Sequence, residues 1–76
     1  MSELTLYYRP TCPFCRKVLN FIEENNIDIP LKDKEANHEY EKELVSVGGK
    51  TQVPCLVIDG KALYESDSII EWLKKN

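Results

Sequence analysis

The sequence predicts a small α/β domain in the order β-α-β-α-β-β-α, three helices flanking a four-stranded mixed sheet. Three observations lead there. Apolar and polar residues alternate through "ELTLYY", residues 3–8, the period-two pattern of a strand. Apolar side chains then recur at helical spacing along three later stretches, as in helices with one covered face. Asp59-Gly60 separates two apolar runs, "CLVI" and "ALY", a strong local signal for a hairpin.

Each element can be justified in turn. After the first strand comes "RPTCPFCRK", residues 9–17. Pro13 suits the first position of a helix, where its missing N–H goes unused anyway. Phe14, Val18 and Ile22 recur every four residues, and Cys15 and Leu19 widen that stripe. Arg16, Lys17, Asn20, Glu23 and Glu24 fall mostly on the other face, and "ENN" ends the helix. "IDIPL", residues 27–31, reads as a short second strand. Pro30 cannot donate to a ladder, which argues for a sheet edge. A second helix is expected from about Asn37, with Tyr40, Leu44 and Val47 as its apolar face and Gly48-Gly49 as its stop. Ser66 or Ser68 is expected to cap the last helix, Ser68 with Glu71 in capping-box spacing. There Ile69, Ile70 and Leu73 bury one side with Trp72 beside them, while Lys74 and Lys75 complement the C-terminal dipole.

The 76 residues suffice for one domain, expected to span residues 1–76. Apolar residues make up 42% and charged residues 30%, a globular composition. A net charge of −3 argues against nucleic acid as a general partner. No apolar run approaches the roughly 20 residues of a membrane span, and "MSELTLYY" is no basic leader. The expectation is therefore a cytoplasmic monomer with no membrane partner. A secreted mini-protein would carry an even, denser set of cysteines than Cys12, Cys15 and Cys55; in a reducing cytosol, closely spaced cysteines bind metal or do redox chemistry.

The position of the pair favours redox chemistry. Between a strand and a helix, Cys12 falls at the helix N-terminus, where unpaired N–H groups favour negative charge. Its thiol should ionise more readily than a free cysteine, whose pKa is about 8.5. Cys15 lies one turn deeper on the apolar stripe and does not share the benefit. Arg16 and Lys17 oppose the dipole in the first turn, and with Arg9 they are expected to surround the thiolate with positive potential. Low pKa gains little in attack, because nucleophilicity falls with it, but it makes Cys12 a good leaving group for repeated exchange. A structural zinc site wants four ligands, and only Cys55 and His38 remain, far apart and without knuckle spacing, so no metal is expected. A permanent disulfide closing so short a loop would stabilise little.

With these residues in place, the sequence resembles the glutaredoxins, small proteins of the thioredoxin-like fold, nearly from end to end. "TCPFC", residues 11–15, is similar to their Cys-Pro-Tyr-Cys site, with Phe14 for tyrosine; Arg9 stands where they usually carry lysine. "QVP", residues 52–54, resembles their Thr-Val-Pro, and "SD", residues 66–67, the start of their last helix. The resemblance implies a glutathione-dependent thiol–disulfide oxidoreductase. Cys12 would attack, Cys15 or glutathione would resolve, and glutathione would be the co-substrate. It implies a cis bond before Pro54 and a Val53 backbone that pairs with a glutathione backbone. It implies that Ser66 and Asp67 receive the γ-glutamyl carboxylate at a helix N-terminus, Asp67 its ammonium, Arg9 the glycine carboxylate, and that Phe14 supplies a wall. Gln52 and the pair Tyr64-Glu65 depart from the family pattern and look more like the N-terminal domain of glutathione transferases, which makes Gln52 and Glu65 further candidate contacts. Those enzymes carry a second helical domain, whereas this sequence ends at Asn76. Partners implied are glutathione and disulfide-containing or glutathionylated proteins.

Two other functions fit the same resemblance: an iron–sulfur cluster shared between subunits, against which Pro13 argues, and a redoxin reduced by thioredoxin reductase. Cys55, directly after Pro54, reads as a small buried hydrophobe on a covered strand or as an extra redox site near Cys12. His38 sits at the polar start of the second helix, and thiolate chemistry needs no base from it.

Overall fold

The computed structural model describes residues 3–75. Met1, Ser2 and Asn76, the ends of the expected domain, lie outside them. The elements follow the expected order: β1 (Leu4–Tyr8), α1 (Pro13–Glu24), β2 (Leu31–Asp33), α2 (Glu39–Gly48), β3 (Cys55–Ile58), β4 (Lys61–Tyr64) and α3 (Ser66–Lys75). One sheet of order β2-β1-β3-β4 results. β1 runs parallel to β2 and antiparallel to β3, and β4 is antiparallel to β3, so the sheet is mixed.

β1 is central and contributes to the core on both faces. Leu6 pairs with Leu56, and both point into a core with Val18, Ile22, Ile69 and Leu73 from α1 and α3. Tyr7 pairs with Cys55 on the opposite face, and both meet Leu44 from α2. Helices thus cover both sides, two on one and one on the other. Leu6, Leu44 and Leu56 are fully enclosed, and truncating any one to alanine removes about 2–5 kcal/mol.

Local chemistry sets the element ends. Arg9 C=O accepts from Cys12 N–H at 3.1 Å, so "RPTC" is a tight turn with proline at its second position. At the other end of α1, Asn26 is left-handed (φ 52°), Ile27 N–H reaches Ile22 C=O and Asn26 N–H reaches Glu23 C=O. Those two bonds are a Schellman motif. β2 is shorter than the "IDIPL" reading: Pro30 has no N–H for the ladder, although its carbonyl accepts from Leu6 N–H at 3.0 Å, and regular pairing starts at Leu31. The edge position of β2 is as expected.

α2 begins two residues after Asn37, whose side chain accepts the Glu39 N–H at 2.9 Å. Gly49, left-handed at φ 80°, ends it. Gly48 is required for space: a Cβ there would fall 1.8 Å from the Tyr64 hydroxyl. Asp59 and Gly60 both take positive φ (50° and 86°), the two-residue hairpin geometry. α3 starts at Ser66 directly after Glu65, which is left-handed at φ 71°. Ser68 therefore lies inside the helix, and the Ser68–Glu71 capping box does not form.

Candidate active site

The β1–α1 turn presents Cys12 as the N-cap residue of α1, in extended conformation and with no side-chain cap, and Pro13 takes the first helical position. Cys12 is partly exposed, while Cys15 is fully buried. Their acidities diverge as their positions require. Partial burial pushes the Cys12 thiol up. The Cys15 N–H and thiol, the Phe14 N–H and the Arg9 charge push it down and prevail, so its pKa lies below the ordinary thiol value. Burial raises Cys15 to about 11, against a 3.4 Å hydrogen bond from the Arg9 N–H, and the neighbouring Cys12 adds to the rise. Cys12 is thus the more acidic of the two sulfurs and Cys15 the less.

The cation cluster is narrower than expected. Arg9 alone among the three lowers the Cys12 pKa. Lys17 is turned toward α3 and pairs with Asp67. Arg16, one turn below Cys12, lines a separate groove with Tyr8, Pro10, Leu19, Asn20 and Glu23. Helical geometry separates the three: residues 12 and 16 share a face, while 17 points about 100° away from 16.

Seven of the expected binding residues, one of them between the two cysteines, line one cleft of about 240 Å³: Phe14, Gln52, Val53, Pro54, Glu65, Ser66 and Asp67. The Val53–Pro54 bond is cis. Phe14 is 64% exposed, an apolar side chain standing in water at the cleft rim. Ser66 is buried and starts α3, and with Asp67 it brings the first turn of that helix, with its unpaired N–H groups, to the cleft lining. Arg9 is not among the lining residues. Its guanidinium lies 3.6 Å from Glu35, which also accepts from Thr11 Oγ1 at 3.0 Å. Neither Glu35 as a partner of Arg9 nor Lys17 as a partner of Asp67 was marked by any sequence pattern. Both pairs join residues more than twenty positions apart.

Cys55 stands apart from this chemistry. It is fully buried with Tyr7 and Leu44, and burial raises its pKa against the opposing influence of Tyr64, the Leu63 N–H and Lys50. His38 is exposed at the start of α2, as read from the sequence. Among the described residues no group of three or more His, Cys, Asp or Glu is arranged to hold a metal ion, and no helix is long and apolar enough to cross a membrane.

Comparison with known proteins places this geometry. Residues 6–76 match the family model "Glutathione S-transferase, N-terminal domain". An uncharacterized glutaredoxin-like 8.6 kDa protein in the rubredoxin operon of Clostridium pasteurianum is 29% identical over 73 residues, covering 90% of this chain and 97% of that one. Among solved structures, a thioredoxin-like protein superposes with a TM-score of 0.79 at 26% identity, covering 96% of this chain and 97% of its own. Glutathione transferase Omega 3C from Trametes versicolor superposes with a TM-score of 0.80 at 28% identity, covering 96% of this chain and 33% of that enzyme. The fold is thioredoxin-like and the protein is glutaredoxin-like. The chain belongs to the family of the glutathione S-transferase N-terminal domain.

Proposed function

We propose that the protein is a glutathione-dependent thiol–disulfide oxidoreductase that acts on glutathione mixed disulfides and protein disulfides. One observation carries the reading: an acidified, partly exposed thiol, Cys12, lies two residues from Phe14, the apolar wall of a cleft lined also by Val53 and by Ser66 and Asp67 at the start of α3. That set of groups suits a short anionic peptide with a thiol. Ser66 and Asp67 offer N–H donors to its α-carboxylate, and the Val53 backbone pairs with its main chain. Among the described residues the Val53 N–H and C=O make no backbone hydrogen bond. Asp67 takes the ammonium and Arg9 the second carboxylate, each relinquishing part of its present ion pair with Lys17 or Glu35.

The chemistry runs in balanced exchanges. Cys12 thiolate bonds to the glutathione sulfur of a mixed disulfide as the old S–S bond breaks, and the departing thiolate takes a proton from water. A second glutathione thiolate then attacks the adduct, forming glutathione disulfide and freeing Cys12 as a good leaving group. For protein disulfides Cys12 bonds to one substrate sulfur, and Cys15 or a glutathione thiolate then displaces the substrate as a thiolate; two glutathiones return a Cys12–Cys15 disulfide to the dithiol as glutathione disulfide forms. Once Cys12 is in a mixed disulfide, its charge no longer raises Cys15, so the second thiol gains acidity when it is needed. The decisive experiment couples turnover of a cysteine–glutathione mixed disulfide to glutathione and glutathione reductase. The reading expects turnover with wild type and none with Cys12→Ser. Reduction supported by thioredoxin reductase but not by glutathione would overturn it in favour of the redoxin alternative.

A further inference from the structure

Two clefts flank the start of α1, one lined by Phe14 and the other by Arg16. The first is the one just described. The second, about 230 Å³, is lined by Tyr8, Pro10, Arg16, Leu19, Asn20 and Glu23, and no step above uses it. It continues the face of α1 that begins at Cys12, because Arg16, Leu19 and Glu23 follow at helical spacing and stack down one side. Arg16 N–H donates to Cys12 C=O at 3.0 Å, fixing the two residues one turn apart.

We propose that this groove receives the polypeptide flank of a disulfide substrate, with Arg16 pairing an acidic residue next to the substrate cysteine. The proposal rests on the oxidoreductase reading and adds the class of partner. Three arguments support it. The first is stereochemical: displacement at sulfur sets the attacking and departing sulfurs on opposite sides of the central one. When a glutathione thiolate in the first cleft bonds to Cys12 Sγ, the bond from Sγ to the substrate sulfur breaks. The substrate leaves on the far side with the electron pair, as a thiolate that takes a proton from water.

The second argument is charge. Arg9 is engaged by Glu35 and Lys17 by Asp67, whereas Arg16 has no ion-pair partner among the described residues. A cation in the first turn of a helix opposes the dipole, and here no internal carboxylate offsets that cost. An external one would. The third argument is polarity along the groove. Tyr8 and Leu19 are half-buried apolar surface beside Arg16, and Glu23 stands farther along α1. An acidic side chain is accepted at the Cys12 end and repelled at the other, which fixes the direction of the bound segment.

The test needs no glutathione. Reduced protein is mixed by stopped flow with short capped peptides whose single cysteine is joined to 5-thio-2-nitrobenzoate and flanked by glutamate or by glutamine; absorbance follows the released aromatic thiolate. Wild type is expected to react about fivefold faster with the glutamate peptide, the size of one exposed ion pair, and the preference should shrink at high salt. Arg16→Gln should bring the rate ratio to about one, and Arg16→Lys should keep most of it. Reading a ratio cancels any general change in Cys12 reactivity. An unchanged ratio in Arg16→Gln, or no preference in wild type, would overturn the proposal. If the ratio behaves as expected while the coupled glutathione assay fails, only the co-substrate assignment falls and the groove assignment stands.

Discussion

Cys12 precedes Pro13 where a helix begins, and Cys55 follows Pro54 where a strand begins. The two sulfurs are chemically the same, yet the fold drives their acidities apart. At Cys12 partial burial is outweighed by N–H donors of the first helical turn, the Cys15 thiol and Arg9. At Cys55 complete enclosure between Tyr7 and Leu44 prevails, and the thiol is held neutral. A helix start supplies unpaired donors, whereas a strand start spends its backbone groups on the neighbouring strand. The contrast teaches that reactivity here belongs to the position and not to the residue type.

If that is right, substituting the two cysteines has opposite consequences. Cys12→Ser should drop turnover to the uncatalysed background while thermal stability stays within about 0.5 kcal/mol of wild type; a coupled assay and a melting curve on the same sample read both. Cys55→Ser should keep turnover but lose about 1–3 kcal/mol of stability, because a hydroxyl replaces a small apolar group in a dry site. Lost activity in a folded Cys55→Ser protein would make Cys55 a second redox site.

Cys15→Ser separates the routes. Glutathione mixed disulfides should still turn over and protein disulfides that need a second thiol should not; Cys15→Ala removes the side-chain donor as well, so in that variant the Cys12 pKa should rise. A smaller effect is expected from Arg9→Gln: one Coulombic contribution is lost, so Cys12 ionises at higher pH and its alkylation near neutrality slows a few-fold. The alkaline limb of stability supplies an independent signal. Cys15 is raised from 9.0 to about 11 in the folded protein. Its neutral form is therefore favoured by folding, and the contribution is fully present below pH 9 and lost as pH climbs toward 11. Cys12, shifted down, contributes in the other sense, losing its share as pH falls through the lowered pKa. Denaturant titrations across pH 8–11 check the sign.

Much of this site was legible because it depends on short-range pattern. The strand–CxxC–helix order, Pro13 at the helix start, the Asp59-Gly60 hairpin and the Gly49 stop are local facts, and the structure has all four. The features the sequence hid are long-range. The start of β2 depends on its pairing with β1, and the burial of Tyr7 depends on α2 covering the far face of the sheet. The start of α3 at Ser66 reflects the left-handed Glu65, a conformation uncommon for a side chain without the asparagine or glycine signal. Charge was the least legible of all. "RK" after Cys15 reads as one cationic patch, but a 100° turn between neighbours sends Lys17 to Asp67 and leaves Arg16 in another groove.

The most direct test of the account is the pH dependence of alkylation at each cysteine of the reduced, folded protein, resolved by mass spectrometry of its peptides. Cys12 is predicted to react first, with a midpoint below the ordinary thiol value, while Cys15 stays protected until about pH 11. Equal midpoints for the two, or faster labelling of Cys15, would contradict it.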